Sequence, residues 1–341
     1  MTQCHKGSSD VLVVNAGSTS LKLSIIDDDE SARTIASLGD ARGITAVGHR
    51  IVHGGEQSEP RVVDDALAGE LESLVELAPL HNAPAVAAIV EARRVLPDAT
   101  HVAVFDTAFH RTLPDVASTY ALPERFRARG IRRYGFHGLS VAWSALQVPV
   151  PRLVVCHLGG GASVTAVRDG ESVDTTMGFT PLEGVPMATR AGSVDPGALL
   201  HLLRHDVSLD ELDHALEHES GLTALGGTGD LKTLEHDSTR GAQLALAVYC
   251  YRIAQAVATM AVALGGIDAL VFTAGVGEHS ARVRADVCGR LAFLGVGLDP
   301  DANARVDGDA EISAGPVAVR VVRAREDVVI ARAVRSRLDG G

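Results

Sequence analysis

One local pattern occurs twice in this chain, at residues 11–27 (VLVVNAGSTSLKLSIID) and again at residues 153–168 (LVVCHLGGGASVTAVR). Each copy is an apolar strand, a polar residue, a short loop of Gly, Ser and Ala, and a strand that returns. After the loops, Leu21, Leu23 and Ile25, and then Val164 and Ala166, alternate with the period of two of a half-buried strand. A hairpin with a Gly/Ser-rich turn exposes backbone N–H groups and lets a ligand come close, which suits a bound phosphate. Two such hairpins point to a duplicated domain closing on a phosphate-rich ligand from both sides.

A chain of 341 residues is too long for one comfortable core, so two domains are expected. Its hydrophobic content of 46% and charged content of 22% are those of an ordinary soluble globular protein. The net charge of −12 argues against nucleic acid or an anionic membrane as partner. It leaves room for a phosphorylated ligand, which local cations can hold on an acidic protein. Cys4, Cys156, Cys250 and Cys288 are scattered with no CxxC pair, which favours reduced thiols in the cytoplasm. The first ten residues, MTQCHKGSSD, lack the apolar stretch of a signal peptide. Residues 244–267 are nearly all apolar and long enough to span a bilayer, but Arg252 and Gln255 sit near the middle. A central Arg costs roughly 2.5–3.5 kcal/mol on insertion scales, so a buried core helix is predicted.

The pattern predicts strands at 11–15 and 21–27, a third at 47–52, and helices at 64–77 and 84–96, the latter with Pro84 in its first turn. A buried strand at 102–105 delivers Asp106 to its C-terminal end. The run 107–138 reads as loop. The second half repeats the order: strands to 176, helices near 196–204, 209–218 and 240–264, and a strand at 270–273. That strand feeds the loop Ala274-Gly275-Val276-Gly277, with a helix starting near Glu278. A strand at 317–322 and a helix at 327–338 complete the chain. The result is an α/β duplication with mixed sheets.

Several chemically capable residues lie beside glycine loops. The first hairpin carries Asn15, Ser18, Ser20 and Lys22, with Lys22 on the face opposite the apolar positions. Arg50 closes a strand before Gly54-Gly55, His81 follows Pro79-Leu80, His137 sits in YGFHG, and Arg190 sits in PMATRAG. Arginine forks bind carboxylate and phosphate bidentately, and histidine can donate to a developing phosphoryl oxygen. Asp106 and Glu326 could hold or orient Mg²⁺, which takes a few carboxylates plus water and phosphate oxygens. The strand-to-helix turn Gly275-Val276-Gly277-Glu278 has backbone N–H groups suited to a nucleotide.

The motifs NAGSTSLK (15–22), GHRIVHGGE (48–56), APLHNAP (78–84), VFDTAFH (104–110), YGFHG (134–138), CHLGGGAS (156–163), TMGFTPLEGVPMATRAG (176–192), FTAGVGE (272–278) and REDVVIAR (325–332) run nearly end to end. In that order they resemble the acetokinase family of the actin and sugar-kinase superfamily. The resemblance implies duplicated ribonuclease H-like (actin-like ATPase) domains, with mixed β-sheets flanked by helices and the active site in the interdomain cleft. The first domain would comprise 1–106 and 327–341, and the second 107–326. The activity implied is reversible Mg²⁺-dependent (or Mn²⁺-dependent) phosphoryl transfer from ATP to acetate, giving acetyl phosphate and ADP, in a cytoplasmic homodimer.

By the same resemblance Asn15 and Glu326 serve the metal, Arg50 and Arg190 flank the transferring group, His137 stabilises the transition state, and Asp106 orders the metal and its waters. The nucleotide falls to His157, Gly159, Gly160, Gly161, Gly275, Val276, Gly277, Glu278 and His279, with Lys22, Asp230 and Lys232. Val52, Leu80, Phe136 and Pro181 match the family's acyl pocket and keep the character that acetate requires. Ser18, Ser20 and His81 support the cleft. The chain departs from the family pattern at Gly160, where an Asn is usual. It departs again at Asp230-Leu231-Lys232, where Asp-x-Arg is usual, and at Ser193 and Val141. It is also shorter between residues 27 and 48 and around Gln147. Three alternatives stand beside this reading: a propionate-preferring enzyme, since one methylene changes discrimination by only ~1–3 kcal/mol, a diphosphate-dependent acyl kinase, from the altered positions Gly160 and Lys232, and a non-catalytic nucleotide-binding regulator of the same fold. Retention of Arg50, Asp106, His137, Arg190 and Glu326 speaks against the last.

Overall fold

Among the described residues, two six-stranded sheets share one topology. The computed structural model describes residues 10–16, 21–75 and 79–340, and of residues 79–81 the backbone alone. The first sheet contains β1 (Val11–Ala16), β2 (Leu21–Ile26), β3 (Ala32–Thr34), β4 (Ala46–Ile51), β5 (Arg61–Val62) and β6 (Thr100–Phe105), in the order β3-β2-β1-β4-β6-β5. The second contains β7 (Arg152–Leu158), β8 (Ala162–Arg168), β9 (Glu171–Thr175), β10 (Ala269–Thr273), β11 (Ala310–Glu311) and β12 (Ala318–Val321), in the order β11-β12-β10-β7-β8-β9. Read from the other edge, the second order is the first with every strand replaced by its counterpart. In each sheet the hairpin is antiparallel (Asn15 opposite Lys22; His157 opposite Ser163), and the next two strands join in parallel. The duplication expected from the two hairpins is therefore a duplication of whole sheets.

By compactness the chain divides into two units. One takes residues 1–111, 137–139 and 325–341, and the other takes 112–136 and 140–324. In the first unit, Val11, Val13, Val102 and Val104 pack on Ile330, Ala331 and Val334 of the C-terminal helix Glu326–Asp339. Gly48 allows that helix to approach, because a Cβ there would lie 2.5 Å from Ile330. On the other face, Ile51, Ala103 and Phe105 pack on Leu67 and Leu71, and on Ala85 and Ile89 of the helix Pro79–Val95.

The apolar helix of the second unit, Arg240–Leu264, is long and apolar enough to cross a membrane, yet it buries a continuous stripe from Ala242 through Tyr249, Ile253 and Val257 to Leu264. Recurrence at three and four residues is that of a helix packed along one side. Arg252 bonds Gln255 on the opposite, exposed side at 3.1 Å.

Three local expectations are corrected. The helix expected to begin around Pro84 begins at Pro79, which leaves Pro84 inside it. The segment 107–138 is not simply loop. It holds a 3₁₀ helix Asp106–Thr112 and short helices Asp115–Ser118 and Glu124–Arg127, and it leads into the helix Gly138–Gln147. Its glycines and prolines read as breakers, but they serve as entries and exits. The loop expected at 274–277 is already helical, spanning Ala274–His279, with the reversal taken by Ala274 at a φ of 65°.

Candidate functional site

In the first unit, Arg50 is the penultimate residue of β4, and β6 is followed by Asp106. Because those strands are parallel neighbours, both side chains emerge at one sheet edge, the C-terminal end where open α/β sheets take their ligands. Arg50 grips Asp106 with Nη2 at 2.6 Å from Oδ2 and Nε at 3.2 Å from each oxygen. Its Nη1 donates to Asn15 Oδ1 at 3.2 Å and lies 3.2 Å from Glu326 Oε2, and Asn15 Nδ2 reaches the same oxygen at 3.3 Å. Asn15 comes from β1 and Glu326 opens the C-terminal helix, so four separate elements meet in one network.

One guanidinium faces two carboxylates there. Burial pushes the Asp106 pKa up to about 6; Arg50 and a hydrogen bond from the Leu139 backbone oppose this, while Glu326 adds to it. Burial also works against the Arg50 charge, but Asp106 and Glu326 outweigh it and hold its pKa above the ordinary value. The surplus carboxylate, with hard oxygens on Asn15 and Glu326 beside it, is a donor set that fits a small divalent cation.

His137 belongs to the first unit by its packing. It has a φ of 59°, in the left-handed region that costs a non-glycine residue energy. The next residue explains why the chain accepts this: a Cβ at Gly138 would stand 2.0 Å from the Asp106 carbonyl oxygen. Only glycine lets the His137 turn lie directly on Asp106. Lys22 is exposed on β2, across from Asn15. Val52, just past β4, is buried. Ser18 and Ser20, and the side chains of Leu80 and His81, lie outside the described residues.

In the second unit, Arg190 is nine-tenths buried; its Nη1 donates to the Pro181 carbonyl at 3.2 Å, and its Nε lies 3.6 Å from Glu217 Oε2. Burial lowers the Arg190 pKa and raises that of Glu217, and each of the two charges opposes the shift of the other. Phe136 and Pro181 are buried. His157, on β7, shares a 2.9 Å hydrogen bond through Nδ1 with Ser140 Oγ. The glycine turn after β7 closes through Gly159 N–H to Gly161 O at 2.9 Å. Gly160 meets nothing within 4 Å of an added Cβ, and its carbonyl accepts from Ala188 N–H at 3.2 Å, which ties this turn to the Arg190 loop.

Asp230 caps the helix Leu231–His236, accepting from Thr233 Oγ1 at 2.6 Å and Lys232 N–H at 3.2 Å. Asp230, Lys232, Thr233, His236 and Asp237 line an open depression of about 620 Å³. Val276 lies in the short helix between exposed Gly275 and buried Gly277, and His279 is exposed. Glu278 is bound locally, its carboxylate accepting from Ala324 N–H at 3.0 Å. Arg284, almost fully buried, donates to the Gly277 and Glu278 carbonyls at 2.9 and 2.8 Å.

Arg50, Asp106, Asn15 and Glu326, to which the resemblance gives related roles, come together in the fold. Glu217 and Arg284 lie outside every motif quoted above, and only their contacts with Arg190 and with the Gly277 and Glu278 carbonyls mark them. Among the described residues the thiols offer no nucleophile. Cys156, Cys250 and Cys288 are unpaired and buried, and burial pushes Cys250 and Cys288 each up to about 12 and Cys156 well above its ordinary value.

A family model described as the acetokinase family matches residues 32–332. Acetate kinase of Deinococcus radiodurans is 45% identical over 96% of this chain and 86% of its own length. Acetate kinase of Deinococcus deserti is 48% identical over 89% of this chain and 81% of its own. Among solved structures, a propionate kinase from Francisella tularensis superposes with a TM-score of 0.89 at 30% identity, over 96% of this chain and 99% of that one. Porphyromonas gingivalis acetate kinase superposes with a TM-score of 0.85 at 31% identity, over 97% and 100%.

Proposed function

The chain belongs to the acetokinase family, and on that premise we propose that it is an acetate kinase. It transfers the γ-phosphoryl group of ATP to acetate and, in reverse, phosphorylates ADP from acetyl phosphate. The observation that carries this reading is the Arg50–Asp106–Asn15–Glu326 network at the edge of the first sheet.

The chemistry needs charge management more than proton transfer. A carboxylate, with a pKa of about 4, is already ionised at neutral pH and attacks without a general base. Its oxygen bonds to the γ-phosphorus as the bond to the bridging oxygen of ADP breaks. Catalysis is then positioning of two anions and neutralisation of charge on the equatorial oxygens. Arg50 and Arg190 supply guanidinium forks, and His137 donates to a phosphoryl oxygen. Asp106 fixes the Arg50 fork. Mg²⁺, when bound, neutralises phosphate charge, and Glu326 and Asn15 would hold it, with Asp106 ordering its waters. Val52, Phe136 and Pro181, with Leu80, receive the methyl group. His157, the Gly159–Gly161 turn, Asp230, Lys232 and the residues around Val276 and His279 receive the nucleotide, with Lys22 near its phosphates.

We place the enzyme in the cytoplasm, where its unpaired buried thiols stay reduced. We take its working form to be a homodimer. The helix Pro196–Leu203 has no buried residue and exposes Leu200, Leu202 and Leu203, an apolar face that a second copy of the chain would cover.

The test is acyl phosphate formation, trapped as the hydroxamate, with acetate, propionate and butyrate against ATP and diphosphate, with and without Mg²⁺. Turnover of acetate with ATP that EDTA abolishes is expected. Turnover with diphosphate alone, or none with either donor, overturns the assignment.

A further inference from the structure

Resting on the reading just given, we propose that Glu217 is the positioning residue for Arg190, orienting its guanidinium through Nε toward the transferring group. The two residues are held against each other at backbone level as well as by charge. The residue before Arg190, Thr189, donates through Oγ1 to the Glu217 carbonyl at 2.7 Å. The residue after it, Ala191, donates through N–H to the Leu216 carbonyl at 3.3 Å. The pairing continues beyond: Ser220 N–H to Thr189 O at 2.9 Å, Leu222 N–H to Met187 O at 2.9 Å, and Thr223 N–H to Ala188 O at 3.0 Å. Gly221, at a φ of 63°, permits this close course, since a Cβ would stand 2.1 Å from the Met187 carbonyl.

Glu217 sits in a π-helical turn, Ala215–Glu219, that follows the α-helix Leu209–His214. Such turns insert a residue and re-aim side chains, and they recur at functional sites. Ser220 closes this one, its Oγ donating to Ala215 O at 2.7 Å. The re-aimed carboxylate lies 3.6 Å from Arg190 Nε, with the two side chains 17% and 10% exposed. A guanidinium this buried needs a counter-charge to offset its lost hydration and a fixed acceptor to keep one orientation. Glu217 supplies the counter-charge on the Nε side, and the Pro181 carbonyl is the acceptor that holds Nη1. A carboxylate on the Nε side and an acceptor at Nη1 together set the plane of the fork, and the plane decides where its donors point.

A double-mutant cycle tests this against a merely structural role. Glu217→Ala is expected to lower kcat about tenfold, roughly 1.4 kcal/mol of transition-state stabilisation, with KM for ATP unchanged. The same substitution on an Arg190→Ala background is expected to change the residual rate little, because there is no fork left to orient. Equal losses in both backgrounds, or no loss in the first, overturn the proposal. Glu217→Gln keeps the volume and serves if the alanine variant does not fold. The Arg190 Nε–H resonance, identified by its disappearance in Arg190→Ala, is expected to move in Glu217→Gln, and a stationary resonance overturns the pairing. That measurement needs no turnover. A wild-type protein inactive on acetate and ATP would therefore sink the kinase reading while the resonance still decides the role of Glu217.

Discussion

Arg50 holds Asp106 through two nitrogens, the shorter contact being 2.6 Å, and Asp106 is completely buried. A fork-to-carboxylate contact of this kind fixes orientation as well as charge. Removing one member of a buried pair costs about 3–5 kcal/mol, because the other is left uncompensated. In Asp106→Asn, Arg50 keeps Glu326, so the lower end, about 3 kcal/mol, is expected in urea unfolding. The fork also loses its aim, so kcat should fall about a hundredfold. A variant that keeps wild-type kcat would detach the pair from the chemistry.

Gly138 is predicted to be irreplaceable. With a Cβ 2.0 Å from the Asp106 carbonyl oxygen, Gly138→Ala must push the His137 turn away from Asp106. Soluble Gly138→Ala should show kcat reduced by at least tenfold. Near-normal turnover would show that the position of His137 is unimportant.

Gly160 has space around it, so restoring a side chain is expected to be harmless to the fold. Gly160→Asn adds an amide beside the turn expected to hold the nucleotide phosphates. One added hydrogen bond of about 1 kcal/mol would lower KM for ATP about fivefold at unchanged kcat for acetate. Unchanged KM would place the phosphates elsewhere.

The buried pair His49 and His101 predicts acid sensitivity of the fold. His49 Nε2 lies 2.9 Å from His101 Nδ1, and His101 Nε2 lies 3.1 Å from the Leu96 carbonyl. The chain of donors is consistent if both rings are neutral. Burial first, and His101 second, push the His49 pKa down to about 3. The unfolded chain takes up its proton near pH 6.5, so the stability is complete above that pH and is lost progressively toward pH 3. At pH 5 the loss from this one site is about 2 kcal/mol. His49→Gln should flatten the decline in urea-unfolding stability between pH 6.5 and 5. An identical slope in both proteins would refute the assignment.

How much was legible varied with the range of the interaction. The two hairpins and the helix Arg240–Leu264 came from patterning, since alternation and apolar continuity are properties of neighbours in the chain. Asp106 and Arg50 were legible as polar residues closing apolar strands. The helical start at Ala274 was hidden because Gly275 and Gly277 read as loop, and only packing shows that Gly277 lies against the Phe272 backbone.

The sequence by itself determined that the molecule is a duplication, that its strands deliver charged residues at their ends, and to which family it belongs. Those properties lie in local periodicity and in short ordered motifs, which need no coordinates. The tertiary structure alone decided that Asn15, Arg50, Asp106 and Glu326 form one network. It alone set Glu217 beside Arg190 and made a buried pair of His49 and His101. The energies involved come from burial and from distances of a few ångströms between residues far apart in the chain, and they exist only once the sheets and helices have packed.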